Sequence, residues 1–281
     1  MVDDGQPHAQ LRFGEVFMQI TGNTILITGG GSGIGRALAE AFHTEGNHVI
    51  IAGRRKQQLQ STIAANPGMK AAQLDIADPE SIRSFAEEIK RDYPSLNVII
   101  HNAGINKLES VRSGDTAAAE AIVATNLLGP IRLNAALLPL IEKQRNPVVM
   151  TVSSGLAFVP AFFVPTYCAT KAAIHSYTQS LRYQLKDSTM QVIELIPPYV
   201  QTELLGPEQT SDPNAMPLKD FIVEVMQILK ASPEATEVCV ERVKPLRFAE
   251  ASGRYDAVFK QRNDSAEARY QFQVELPATA N

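Results

Sequence analysis

The stretch Thr24-Ile25-Leu26-Ile27-Thr28 runs directly into Gly29-Gly30-Gly31-Ser32-Gly33-Ile34-Gly35, and an amphipathic segment, Arg36 to Glu45, follows at once. A short apolar strand, a glycine-dense turn and a helix, in that order, form the start of an α/β sheet whose first crossover can hold a phosphate. Glycines accept positive φ and let the backbone come close to a pyrophosphate. The helix that follows presents free N–H groups and the positive end of its dipole. Thr28, Gly29, Gly31, Ser32, Gly33, Ile34 and Gly35 are therefore candidate dinucleotide-binding residues. A glycine cluster alone is more often a flexible turn; the flanking strand and helix give this one its meaning.

The alternation continues along the chain. Apolar runs and helical spacings predict strands at 24–28, 48–53, 70–75, 97–102, 147–153, 191–196 and 237–241, with helices at 34–45, 55–65, 79–92, 117–142, 167–186 and 218–230. Asp78-Pro79 is a good helix start, a cap followed by proline in the first turn. Parallel strands joined by right-handed helical crossovers carry helices on both faces. The expected fold is α/β, a Rossmann-type doubly wound seven-stranded parallel sheet flanked by helices on both faces. The chain has 281 residues, 44% of them hydrophobic, and no Pro/Gly/Ser-rich linker, so a single domain over residues 18–281 is expected.

A net charge of -4 without a basic block argues against nucleic acid as a partner. No run of eighteen apolar residues suggests a membrane span. Two cysteines, Cys168 and Cys239, are too few for a disulfide framework and suggest a reducing, cytoplasmic compartment. The five histidines show no close metal-ligand spacing, so no metal is expected. Residues 1–17 precede a second methionine, Met18, and lack the basic start and apolar stretch of a secretory signal. They are expected to be a dispensable or vector-derived extension, without export.

Tyr167 and Lys171 lie four residues apart in a predicted helix, on one face. The lysine charge is expected to favour phenolate and draw the tyrosine from its ordinary pKa of about 10 toward neutrality, so that it can exchange a proton with a substrate. Taken alone, such a pair is more often a half-exposed aromatic under a lysine stem. Ser154, however, stands thirteen residues upstream, where the apolar run Pro147 to Val152 closes on Ser153-Ser154-Gly155. Ligands of open α/β sheets bind at that carboxyl end, so Ser154 can donate a hydrogen bond to a substrate oxygen, while Ser153 reads as a turn or cap serine. Cys168, next along the helix, points about 100° away and reads as packing.

Together these residues resemble the short-chain dehydrogenase/reductases. The family's Thr-Gly-x-x-x-Gly-x-Gly turn appears as Thr28, Gly29, Gly33 and Gly35, its Tyr-x-x-x-Lys as Tyr167 and Lys171, and its catalytic serine as Ser154. Asn102, Ala103 and Gly104 match the Asn-Ala-Gly element after the fourth strand. Asn126 matches the asparagine of the catalytic tetrad, and Asp75, followed by Ile76, the adenine-contacting aspartate after the third strand. The resemblance implies a nicotinamide dinucleotide across the carboxyl edge of the sheet, with Tyr167 giving a proton to a carbonyl oxygen that Ser154 orients. It implies two jobs for Lys171, lowering the tyrosine pKa and binding the nicotinamide ribose, and a water held by Asn126 that links the lysine to solvent. The alternative for Asn126 is a structural amide at a helix kink near Gly129-Pro130.

Discrimination at the ribose 2′ position belongs to the end of the second strand, Gly53-Arg54-Arg55. An acidic residue there would accept ribose hydroxyls and repel a phosphate. Gly53 leaves room instead, and Arg54 and Arg55 offer guanidinium donors, which predicts NADP rather than NAD. Against this, Ser32 stands where many NADP-dependent members of the family carry a basic residue.

After the sixth strand the family usually has Pro-Gly, whereas this chain has Pro197-Pro198-Tyr199-Val200-Gln201-Thr202, which is stiffer and lacks one N–H donor. Pro197 and Thr202 are candidates for the carboxamide end of the cofactor. The Pro-Pro variant resembles a bacterial branch grouped with the oxidoreductase of the D-alanylation operon, and His101 replaces a commoner asparagine. Phe158, Phe162 and Tyr199 are candidate pocket walls, residues 203–217 read as a mobile lid, and an uncharged, fairly hydrophobic ketone or aldehyde, or its alcohol, is the expected substrate. The phenylalanines serve equally well as core or subunit contacts. Helices 117–142 and 167–186 carry alanine and leucine on more than one face, which suggests a homodimer or homotetramer. The tail after about residue 250, with Tyr255, Phe259 and Tyr270, either reaches an adjacent subunit or closes over the site. The expected activity is NADP(H)-dependent interconversion of a carbonyl and an alcohol. The competing reading is a regulatory protein that binds the cofactor without turnover, and the joint presence of Tyr167, Lys171 and Ser154 favours catalysis.

Overall fold

The computed structural model describes residues 17–274, with the backbone alone at 271–274; apart from Phe17, the predicted N-terminal extension lies outside the described residues. Seven strands form one parallel sheet: β1 (Thr24–Thr28), β2 (His48–Gly53), β3 (Lys70–Gln73), β4 (Val98–His101), β5 (Val148–Val152), β6 (Gln191–Ile196) and β7 (Glu237–Cys239). Their order is β3-β2-β1-β4-β5-β6-β7, the expected doubly wound arrangement. The order reverses between β1 and β4, which opens a crevice at the carboxyl ends of those strands.

The helices are α1 (Gly33–Thr44), α2 (Lys56–Ala65), α3 (Pro79–Asp92), α4 (Ala117–Val123), α5 (Gly129–Ile141), α6 (Pro165–Gln184), α7 (Leu218–Ala231), the short α8 (Lys244–Arg247) and α9 (Tyr255–Val274). Ile25 and Ile27 of β1 pack with Leu38 and Phe42 of α1 and with Phe221 and Val225 of α7. Leu26, Ile99 and Val149 face the other way, toward Phe85 and Ile89 of α3 and Leu133 and Leu137 of α5. Because both faces of the sheet are covered, successive residues of β1, β2, β4 and β5 are mostly apolar, and these central strands read as nearly continuous apolar runs.

β7 ends at Cys239 rather than residue 241, and three further elements differ from expectation. β3 ends at Gln73 rather than residue 75, because the Asp75 carboxylate accepts the Ala77 N–H at 3.0 Å and turns the chain. The helix expected over 117–142 is broken by a π-helical turn, Ala124–Leu128. Gly129 sits so close to the loop after β3 that a Cβ there would lie 2.5 Å from the Ile76 carbonyl oxygen, and Pro130 brings no N–H to the ladder. By composition alone the stretch Ala117–Ile141 is long and apolar enough to cross a membrane. Its apolar side chains Leu133, Leu137 and Ile141 are spent on the sheet instead. The third difference is α9, which was not predicted as a helix because its apolar residues follow no helical stripe.

Candidate active site

The glycine turn is held by the loop after β4. Thr28 Oγ1 accepts the backbone N–H groups of Asn102 and Ala103 at 3.1 and 3.0 Å, and Asn102 Nδ2 donates to the Thr28 carbonyl at 3.0 Å. Gly33 has a φ of 52°, in the left-handed region. Gly35 is needed for closeness: a Cβ there would lie 2.3 Å from Asn102 Nδ2 and 2.4 Å from the Gly29 carbonyl oxygen. Ser32 stands at the N-cap of α1, yet its hydroxyl makes no capping bond, and no acidic residue lies in the first turn. The first N–H groups of α1 are thus left for an anion. Beside them lies a cleft of about 300 Å³ lined by Gly31, Ser32, Gly33, Arg36, Gln58 and Thr202 among others, and the buried Gln58 Oε1 has no partner among the described residues. These features fit the phosphates of a dinucleotide.

At the end of β2, Arg54 and Arg55 are both exposed, and Arg55 Nη2 donates to Ser32 Oγ at 2.8 Å. Asp75 follows the end of β3, where its carboxylate accepts the Ala77 N–H, while the Ile76 side chain is buried in the core against α3 and α5. Gly104 approaches Asn126, whose Oδ1 lies 3.4 Å from where a Cβ would be.

Ser154, Tyr167, Lys171 and Asn126 are all buried. Beyond the end of β5, Ser154 Oγ accepts the Leu156 N–H at 3.1 Å and caps a short 3-10 turn. The capping role expected of Ser153 therefore falls to Ser154, and the buried Ser153 hydroxyl has no partner among the described residues. The Gly155 N–H donates to the Pro197 carbonyl at 2.9 Å, fastening the serine turn to the Pro-Pro segment. Helix α6 begins at Pro165, a favoured first-turn residue, and brings Tyr167 toward the Ser154 side chain.

One electrostatic expectation is corrected. The Tyr167 phenol is pushed above its ordinary range because burial outweighs the downward pull of the Ser154 side chain, and the Lys171 charge does not bring it to neutrality. The reason is geometric: Lys171 Nζ donates to the Val152 carbonyl at 2.7 Å and lies 5.5 Å from the Tyr167 ring centre. Burial lowers Lys171 itself to about 8, with Glu194 acting in the opposite sense.

Asn126 lies in the π-helical turn. Its Oδ1 accepts the Ile105 N–H and its Nδ2 donates to the Ile105 carbonyl, both at 2.9 Å, and Nδ2 also reaches Thr170 Oγ1 at 3.3 Å. Its side chain therefore does structural work, tying the loop after β4 to α6.

The family model for short chain dehydrogenase matches residues 23–213. The chain belongs to the short-chain dehydrogenase/reductase family. It is 37% identical over 251 residues to the uncharacterized oxidoreductase DltE of Bacillus subtilis (strain 168), covering 88% of this chain and 98% of that one. A short chain dehydrogenase from Burkholderia cenocepacia J2315 in complex with NADP matches with a TM-score of 0.72 at 23% identity, covering 87% of this chain and 99% of that one. A short chain dehydrogenase/reductase from Burkholderia phymatum in complex with NAD matches with a TM-score of 0.73 at 17% identity, covering 88% and 97%. At these identities the two structures support the fold, and they represent both forms of the cofactor.

In this short-chain dehydrogenase/reductase, Tyr167 shares an apolar cluster with Ile122, Phe163 and Val164, against which Phe162 and Tyr270 pack. Phe158 does not join it. Its ring meets His175 edge-on at 4.7 Å, with the Arg247 guanidinium 4.6 Å above it, near β6 and β7. Tyr199 donates its hydroxyl to Asp212 at 3.1 Å, and Asp212 also accepts from Arg269 of α9. Thr202 faces Gly33 across the cleft, and its Oγ1 accepts from Gln209 Nε2 at 3.0 Å within the segment 203–217.

Helix α9 packs against the Phe162–Phe163 segment. Tyr270 stacks on Phe163 at 3.9 Å, and Asn263 Oδ1 accepts the Phe162 N–H at 2.8 Å while its Nδ2 donates to the Pro160 carbonyl at 3.2 Å. Asn263 and Arg269 were missed from sequence, and no spacing signal would have found them. Nor does spacing reveal that His175, Glu194 and Glu237 bring metal-ligating atoms within 4.8 Å of one another. There, both Glu237 oxygens are already held by Arg247 at 2.9 Å, which supplies the positive charge.

Proposed function

We propose that the protein is an NADP(H)-dependent oxidoreductase that interconverts a carbonyl and an alcohol, with Tyr167 as the acid and base. A bound nicotinamide dinucleotide supplies or accepts the hydride. The observation that carries this reading is the burial of Ser154, just beyond the carboxyl end of β5, together with Tyr167 and Lys171 on one face of α6, with the Ser154 side chain acting on the phenol. A phenol kept protonated by burial is in the form that reduction uses: it donates its proton to the carbonyl oxygen, while the Ser154 hydroxyl donates a hydrogen bond that orients that oxygen. Lys171 supplies positive charge beside the site, and Asn126 fixes the loop that faces it. Gly53 with Arg54 and Arg55 favours a 2′-phosphate, hence NADP.

The aromatic cluster of Phe162, Phe163, Tyr167 and Tyr270 supports an apolar ketone or aldehyde as substrate. NADPH oxidation followed by absorbance across a panel of ketones and aldehydes, with Tyr167→Phe as control, tests the reading. Turnover of at least one apolar carbonyl, lost in the variant, is expected; a variant as fast as the parent would show that the acid is another group.

A further inference from the structure

Four polar side chains form a row across the sheet. The register pairs His101 with Thr151, Thr151 with Glu194, and Glu194 with Glu237. Each is met by a helix: His101 by Asn134 of α5, Thr151 by Thr178 of α6 and Glu194 by His175 of α6, all at 2.7 Å, and Glu237 by Arg247 of α8 at 2.9 Å. Glu194 is the extreme member. It is 0% exposed, its Oε2 is held by His175 Nδ1, and its Oε1 has no partner among the described residues.

An interior carboxylate is costly unless a charge or hydrogen bonds compensate it. The buried residues that carry full charges are Lys171, Glu194 and Asp212, among the described residues. Asp212 is matched by Arg269 and Tyr199. The Lys171 ammonium is bonded to a neutral carbonyl, that of Val152. Lys171 and His175 lie on successive turns of the same face of α6. Val152 follows Thr151, the cross-strand partner of Glu194. The Lys171 ammonium and the His175–Glu194 pair thus lie one turn apart along one face of α6.

Building on the reading of Lys171 as part of the catalytic group, we propose that Glu194 is a positioning residue, a buried counter-charge fixed by His175 that keeps the Lys171 side chain an ammonium directed at Val152. The electrostatics agree, since burial drives Lys171 down to about 8 and Glu194 is the group that opposes the fall. The other groups around the pair have their own partners. On α6, Arg182 donates to the Val192 and Thr236 carbonyls, and Tyr167 is kept protonated by burial beside Ser154. Glu237 of β7 and Arg247 of α8 hold each other, and His175 is committed to Glu194.

The test reads Lys171 directly. The protein is labelled with ¹³C at lysine Cε, the Lys171 signal is assigned by its loss in Lys171→Arg, and its midpoint is followed by pH titration. In Glu194→Gln the midpoint is expected to fall by about one unit or more, a tenfold easier loss of the proton. Glu194→Met, which replaces the buried charge with an apolar side chain of similar size, gives the same fall and serves if the glutamine variant does not fold. Glu194→Asp restores most of the parent midpoint. Equal midpoints in parent, Gln and Met variants would overturn the proposal. No substrate enters this measurement, so a protein inactive on every carbonyl would refute the proposed function and leave the role of Glu194 to be read. In an active enzyme, the fall of kcat/KM at high pH moves to lower pH by the same interval.

Discussion

Arg55 Nη2 donates to Ser32 Oγ at 2.8 Å, joining the end of β2 to the N-cap of α1. A serine at position 32 looked like a weakness in the case for NADP, since a basic residue is common there. The fold brings the Arg55 guanidinium to that serine from the end of β2. Replacing Arg55 by alanine is expected to weaken NADPH binding by about tenfold or more, the scale of one charge-assisted contact, and to leave NADH binding nearly unchanged. Arg54→Ala should act in the same direction. Fluorescence titration with both cofactors checks this, and equal losses for the two would remove the 2′-phosphate from the argument.

Tyr167 and Ser154 define a second expectation. Tyr167→Phe keeps the buried ring and removes the proton donor, so turnover should fall by roughly 10² to 10⁴ with little change in cofactor affinity. Stopped-flow measurement of NADPH oxidation separates chemistry from binding.

Much of this arrangement was legible in the residues, because it is built from local patterns. The strand, turn and helix over Thr24–Thr44 are adjacent in sequence, and the Tyr167–Lys171 spacing places both on one helical face. What was not legible depends on the third dimension. The lowering of the Tyr167 pKa was inferred from spacing, but burial and the turn of Lys171 toward Val152 decide the matter. Phe158 and Phe162 look alike in sequence, yet one packs on His175 and the other beside the tyrosine. The helix irregularity near Gly129-Pro130 was legible as a kink that a structural Asn126 amide would satisfy, whereas the close approach of Gly129 to Ile76, in a distant segment, was not.

His101 gives a pH-dependent prediction for stability. Its ring is buried, its Nε2 pairs with Asn134 Oδ1 at 2.7 Å, and burial lowers its pKa to about 4. The folded-state value lies below the unfolded value of about 6.5, so its contribution is fully present above 6.5 and is lost as the pH falls from 6.5 toward 4. The loss is on the order of 3 kcal/mol. Urea unfolding of the parent and of His101→Asn at pH 7.5 and 4.5 isolates this share from that of the carboxylates. The parent should lose more stability between the two pH values than the variant; equal losses would mean that His101 protonates as readily folded as unfolded.

Helix α9 carries the last expectation. Asn263 holds the backbone of residues 160–162 through the Phe162 N–H and the Pro160 carbonyl, and Tyr270 stacks on Phe163 at 3.9 Å. Both contacts fasten the helix to the segment that leads into Tyr167. Asn263→Ala leaves those backbone groups without their partner, at a cost of about 1–3 kcal/mol, and should lower the melting temperature. Tyr270→Ala removes an aromatic wall, worth about 0.5–1.5 kcal/mol beyond its buried area. If α9 shapes the substrate side, Tyr270→Ala raises KM for bulky apolar carbonyls more than for small ones and leaves NADPH affinity unchanged. A uniform change across substrate sizes, or a change in cofactor affinity, would assign the helix to stability rather than to the pocket.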